Sequence, residues 1–324
     1  MTAETNGAGE RWTTLRRFAG YGAALAMTPY LIVKIVWTLD GLRGDGLHDG
    51  AWSRLNWTAV NGLTVAMAAA AILLGLALGQ RWGMRIPGWL ILLPAWVGTG
   101  FLVPMIPILP VLALTDSGGD TAADAVVPAW EIALLSVSFA GFGLGVAVAV
   151  PLYVWQRWPQ AFTDPTPARS AVEGTTWAVQ RTVANLAAAV SVALGLPQIY
   201  WSLGGSVGLD QAALDHRDAQ WYIWTGNSGL WALIAAGGTW AVLRRRAGAG
   251  LRTPMLLTWV ASGGLFAWGS WKAIFTYAVA SSFPSPEPPL TLAAQNHLGA
   301  LAGAMLLVVL LLVAAHRATA EKLA

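Results

Sequence analysis

Eight apolar stretches alternate with short polar segments along the chain: about Phe18–Leu39, Thr58–Leu78, Ile86–Leu112, Val126–Trp155, Val183–Leu203, Tyr222–Leu243, Pro254–Ala280 and Leu290–Ala315. Each reaches the roughly 20 residues that an α-helix needs to cross the hydrocarbon core of a bilayer. The pattern predicts eight transmembrane helices and an all-α polytopic membrane protein. Pro104, Pro107 and Pro110 recur at three-residue spacing in the third stretch, which predicts a kink or an end to that helix near the membrane surface. The first apolar run follows Arg16 and Arg17 and is too long for a cleaved signal peptide, so it reads as a helix that stays in place.

The basic residues predict an orientation. One set of loops and tails holds Arg11, Arg16, Arg17, Arg81, Arg85, Arg157, Arg169, Arg181, Arg244, Arg245, Arg246, Arg252, Arg317 and Lys322; the other holds Arg43, Arg54 and Arg217. Basic loops stay inside, so both termini are expected to be cytoplasmic. The outer loops are acidic instead, with Asp40, Asp45, Asp49, Asp116, Asp120, Asp124, Asp210, Asp215, Asp218 and Glu287.

The halves also repeat. Lys34-Ile-Val-Trp37-Thr-Leu-Asp-Gly41 parallels Gln198-Ile-Tyr-Trp201-Ser-Leu-Gly-Gly205, and Trp57 and Trp221 each follow 20 residues after the first tryptophan. Asn61-Gly-Leu parallels Asn227-Ser-Gly-Leu, and Arg85-Ile-Pro87 parallels Arg252-Thr-Pro254. Four spans per half give two parallel four-helix repeats in one orientation. The expected organisation is a cytoplasmic tail (1–17), a first repeat (18–155), a cytoplasmic linker (156–182), a second repeat (183–315) and a cytoplasmic tail (316–324).

Composition agrees with the pattern. The chain is 56% hydrophobic and 11% charged, against about 25% charged in soluble proteins. With no cysteine, disulfides, thiolate metal sites and cysteine nucleophiles are excluded. The arginines lie in short loops between apolar spans and make no nucleic-acid footprint.

Charges at membrane depth change the picture, because they are costly and mark substrate paths, proton relays or structural pairs. Glu131, beside Trp130, opens the fourth span; Lys34 lies one helical turn from Trp37; Lys272 lies beside Trp268 and Trp271. Asn296 and His297 hold the matching place in the eighth span, and Gln198 and Trp201 that of Lys34 and Trp37. Two readings of Glu131 stand side by side. Paired with Lys34 or Lys272, it would hold helices in register and stay ionised. Unpaired and desolvated, it would serve as a proton donor. Asp40 and Asp218 sit at span ends as loop charges or reserve acids, and His297 reads mainly as a solvated cap. The 19 tryptophans, against 8 phenylalanines and 6 tyrosines, belong partly to interfacial belts, among them Trp12, Trp52, Trp57, Trp82, Trp158 and Trp177. The deeper set includes Trp37, Trp96, Trp130, Trp201, Trp231, Trp259, Trp268 and Trp271, and indole faces stabilise cations.

No Walker-type glycine loop or His-Glu-x-x-His is present, and no aspartate-rich Asp-x-x-x-Asp motif sits at a span end on the expected cytoplasmic side. In size, hydropathy and its isolated intramembrane acid, the chain resembles the small integral-membrane terpene cyclases of bacterial indole-terpenoid and other meroterpenoid pathways. It also resembles Ala/Gly/Trp-rich membrane proteins of high-GC actinobacteria. The first resemblance implies proton-initiated cyclisation of a lipid-soluble isoprenoid substrate, without metal or cofactor. Glu131 would donate the proton, with Asp40 or Asp218 in reserve. Trp37, Trp130, Trp201 and Trp271 would line the cation's path beside Lys34, Lys272 and His297. A secondary transporter or lipid translocator, or a non-catalytic membrane scaffold or sensor, is the alternative.

Overall fold

The computed structural model describes residues 2–44, 54–115, 129–159, 175–209, 211–215, 217–244, 252–278 and 289–322. The loop acids Asp45, Asp49, Asp116, Asp120, Asp124, Asp210 and Glu287 lie outside these residues, as do Arg169, Arg245, Arg246 and Trp52. Helix makes up 92% of what is described and no strand occurs in it, in line with an all-α chain.

Among the described residues ten α-helices follow in order: α1 Thr2–Arg43, α2 Arg54–Gly79, α3 Gly88–Leu102, α4 Leu109–Thr115, α5 Ala129–Arg157, α6 Thr175–Ser202, α7 Gln211–Asp215, α8 Ala219–Arg244, α9 Arg252–Ala278 and α10 Pro289–Lys322. Within the described residues, six helices are long and apolar enough to cross a membrane, in α1, α2, α3, α5, α6 and α10. These mark a membrane protein. The other two expected spans, α8 and α9, have 26 and 27 residues, which is length enough. Their apolar character is diluted by Asn227, Ser228, Ser262, Ser270 and several tryptophans, a residue that favours the interface over the hydrocarbon core.

Helix ends overrun the apolar stretches. The helix of the fifth expected span, α6, begins at Thr175 rather than Val183, and that of the eighth, α10, continues to Lys322 rather than Ala315. Hydropathy marks the edge of the hydrocarbon, whereas backbone hydrogen bonding carries a helix on into the headgroup layer and water. The proline triplet acts as expected: α3 ends at Leu102, a short 3-10 turn follows at Val103–Met105, and α4 starts anew at Leu109. Single prolines at Pro29, Pro94, Pro151 and Pro197 stand inside unbroken helices. One lost backbone bond is absorbed by neighbours; several at three-residue spacing are not.

The chain divides into two compact units: Met1–Ile106 with Asp116–Tyr153 and Ile274–Pro284, and Pro107–Thr115 with Val154–Ala273 and Ser285–Ala324. In the first, α1 and α2 make the most extensive pairing. A Cβ built on Gly20 would stand 2.7 Å from the Gly75 carbonyl oxygen and the Gly79 nitrogen. Only glycine permits backbones this near. At the same end Arg16, although an arginine, is buried and donates to the carbonyl of Leu78, closing the last turn of α2. Ala23 and Ala26 of α1 meet Gly145 and Gly141 of α5, and Phe142 and Gly143 of α5 meet Gly98 and Leu102 of α3. Because α2 also contacts α3, the helices close a ring in the order α1–α2–α3–α5. Tyr153 pins the inter-helix turn by donating to the Gly83 carbonyl at 2.7 Å.

In the second unit, Gly195 of α6 abuts Gly229 of α8, Gly238 of α8 meets Thr258 of α9, and Gly303 of α10 meets Ser262 and Phe266 of α9. Gln180 of α6 donates to the Val309 carbonyl of α10 at 3.5 Å. The ring here runs α6–α8–α9–α10 around a core of Ala187, Ala235, Ala261 and Leu306.

Overpacking at such contacts costs about 1–3 kcal/mol. Gly75→Ala is therefore expected to lower the thermal unfolding midpoint of the detergent-solubilised protein. Gly22→Ala, where a Cβ meets nothing within 4 Å, is expected to leave it unchanged or raise it. Equal behaviour of the two variants would count against the close-contact account of the α1–α2 pair.

Candidate functional site

A polar cluster of the first unit forms where α1 and α2 run side by side beyond Pro29. Lys34 projects from α1 and donates from Nζ to Asn61 Oδ1 of α2 at 3.0 Å. The same ammonium lies 3.9 Å from the centroid of Trp37 and 5.7 Å from that of Tyr30. Residues 30, 34 and 37 share a face because they stand three and four apart on one helix. Asn61 is 2% exposed and its Nδ2 donates back to the Trp57 carbonyl at 2.9 Å, which turns its oxygen toward Lys34.

An aromatic bracket surrounds this contact. Trp37 and Trp57 lie 5.6 Å apart and tilted by 33°, and Trp57 Nε1 donates to the Trp37 carbonyl at 3.2 Å. Tyr30 packs on Phe139 of α5 at 4.8 Å. Trp57, expected in the interfacial belt, is instead 9% exposed. Its ring is drawn in by that partner and by the close approach of Gly41 to Thr58.

Glu131 stands in the first turn of α5. Its charge acts on Lys34, and its Oε2 is buried with no hydrogen-bond partner. Lys34 is thus held by Asn61 and the Trp37 ring, and the carboxylate keeps a bare oxygen. Of the two readings of Glu131, the geometry contains elements of both: electrostatic company from Lys34 and an oxygen free to act.

The other expected site residues have varied settings. Trp130 is 62% exposed, on the outer surface of its helix. Asp40 lies 4.0 Å from Arg43 on the same helix. Asp218 accepts the Trp221 backbone N–H at 2.6 Å, the contact of an N-cap for α8. In the second unit Trp201 is buried and donates from Nε1 to the Val207 carbonyl at 2.9 Å. Trp271 is half-buried and Lys272 exposed. His297 is exposed and its Nδ1 lies 2.7 Å from the Ala293 carbonyl one turn earlier. The cluster therefore gathers Lys34, Trp37 and Glu131 from the expected set and adds Asn61, Trp57 and Tyr30. Asn61 was visible in the sequence as a repeat marker, but nothing in spacing alone aims its side chain at a lysine 27 residues away.

Repeat positions retain one contact and lose another. With Trp37 set on Trp201 and Trp57 on Trp221, Thr38 against Gly62 corresponds to Ser202 against Gly226, and both pairs touch. The aromatic bracket is not repeated: Trp221 lies edge-on to Tyr222 at 5.3 Å and beneath Arg217 at 5.0 Å. Among the described residues no three His, Asp or Glu side chains gather as metal ligands would.

Fold and cluster together define a helical membrane protein with a half-buried lysine and carboxylate and a buried amide in its first four-helix unit. No family model, no curated protein and no solved structure matches the chain.

Removing the Asn61 oxygen leaves a buried ammonium short of an acceptor. Asn61→Leu is expected to destabilise the protein by about 1–2 kcal/mol. In a Lys34→Met background most of that loss should vanish, as a double-mutant cycle on unfolding in mixed micelles would report. Additive losses would mean that the two side chains do not act as a pair.

Proposed function

We propose that the chain is a metal-independent, membrane-embedded cyclase that acts on a lipid-soluble isoprenoid substrate by proton-initiated carbocation chemistry. The observation that carries this reading is the buried, partnerless Oε2 of Glu131 beside a cluster of indole and phenol rings. In this reading the Glu131 carboxyl adds its proton to a substrate double bond and leaves a carbocation. The double bond's electron pair becomes the new C–H bond, and a second double bond attacks the cation to close a ring. Loss of a proton from a neighbouring carbon to the Glu131 carboxylate restores a double bond and the acid, so substrate and product are isomers.

In this reading Lys34, held by Asn61 and the Trp37 ring, supplies a fixed positive charge near the Glu131 carboxyl. Trp37 already carries a cation on one face at 3.9 Å, which supports its use, with Trp57, as a wall for a carbocation. The exposure of Trp130 and the capping contact of Asp218 give those residues lesser roles.

The architecture in this proposal is eight spans, with α8 and α9 crossing beside the six more apolar helices. The two four-helix rings share one orientation, with both termini cytoplasmic. The shared Thr38–Gly62 and Ser202–Gly226 contacts support the duplication. That same duplication favours a second reading, a secondary transporter or lipid translocator, because internally repeated bundles are common in such proteins.

Membranes containing the protein, fed prenylated indoles and related acceptors, are expected to yield a product of unchanged mass and altered retention. Glu131→Gln should reduce that conversion by about 10²–10⁴-fold, the usual contribution of a general acid, while the protein stays folded. Full activity in this variant would remove Glu131 from the mechanism. Redistribution of an unaltered lipid across vesicles would select the transport reading.

A further inference from the structure

Most buried hydroxyls of the second unit are satisfied within their own helix. Ser191 donates to the Ala187 carbonyl at 2.8 Å and Thr239 to that of Ala235 at 2.7 Å. Gln198 and Asn296 behave differently. Gln198 Oε1 and Asn296 Nδ2 are buried with no hydrogen-bond partner, and Asn296 is only 4% exposed.

Two contacts fix how these amides stand to each other. Gln180 of α6 pairs with Val309 of α10, and Leu194 of α6 lies 3.9 Å from a Cβ built on Gly299 of α10. Numbers rise on one helix as they fall on the other, so the helices are antiparallel. Gln198 stands one turn beyond Leu194, and Asn296 one turn before Gly299. They therefore occupy the same level on neighbouring helices. Behind Asn296 the backbone of α9 closes in at Gly269, whose built Cβ lies 2.5 Å from the Asn296 carbonyl oxygen. Behind Gln198 stands Gly229 of α8, its built Cβ 3.0 Å from Gln198 Cβ. A bare acceptor and a bare donor thus come to one level from adjacent helices, with close-packed backbone behind each.

We propose that Gln198 and Asn296 bind the hydroxyl group of a lipid-soluble alcohol. The hydroxyl donates to Gln198 Oε1 and accepts from Asn296 Nδ2, and a single oxygen fills both roles. An ether or ketone lacks the donor, an ammonium lacks the acceptor, and an anion would face the Gln198 oxygen unfavourably. Leaving both amide atoms bare in an apolar interior is unfavourable, and the alcohol removes that penalty. The inference does not rest on the cyclase reading and concerns a different set of residues.

A photoreactive long-chain alcohol carrying a mid-chain diazirine, added to the full-length protein in detergent, tests it. Cross-links mapped by mass spectrometry are expected on α6 near Gln198 and on α10 near Asn296. Excess hexadecanol should suppress them, whereas hexadecane and hexadecyl methyl ether should not. Gln198→Met and Asn296→Leu keep the side-chain shape and remove the bare atoms, so both variants should fold with an unchanged or higher unfolding midpoint. Each should raise the hexadecanol needed for half suppression about tenfold. Equal competition by hexadecane would overturn the proposal in favour of a merely apolar groove. Unchanged competition in the double variant would overturn it in favour of an internal water.

Discussion

The close approach of α1 and α2 at Gly20, Gly75 and Gly79 is the contact on which the first unit depends. In lipid, apolar side chains gain little from leaving their surroundings, so helices associate through close packing and interhelical hydrogen bonds. Backbones this near leave no room for a Cβ at Gly20, and the buried Arg16 cap at Leu78 fixes how far one helix slides along the other. That register, carried about four turns further along, sets Lys34 opposite Asn61. A lysine near a helix end would otherwise stretch its stem to the interface and place its charge in water. Here the acceptor and the ring face hold it inside.

Six of the eight expected spans were legible because their signal is additive: a run of apolar residues exceeds the bilayer's thickness whatever the neighbours are. The proline triplet was legible for a similarly local reason, since each ring removes a backbone donor regardless of context. Arg16 shows the limit of such signals. It counted as one of many loop charges marking a side, yet it is buried, because the terminal carbonyl it satisfies belongs to another helix. Trp57 shows the same limit from the aromatic side: composition assigns it to the interface, and only the pairing of α1 with α2 turns it inward. Asn61 was noticed as a repeat marker, but its role as the acceptor for Lys34 is a property of two helices together.

The two units also differ in a way that bears on what each is for. Each closes a ring of four helices through glycine contacts, so the frames are alike in physical design. The polar groups placed in those frames are not. Where the first unit has Lys34, the second has Gln198 at the corresponding position, and the place of Glu131 falls at Gln295, next to Asn296. A buried ammonium or carboxylate demands partners, and replacing both by amides removes that demand while retaining hydrogen-bond donors and acceptors. The second unit closes its ring through glycine contacts with no counterpart of Lys34 and Glu131 at those positions. Chemistry is thus proposed for the charged cluster and recognition for the neutral amides, each set into a frame closed by glycine contacts.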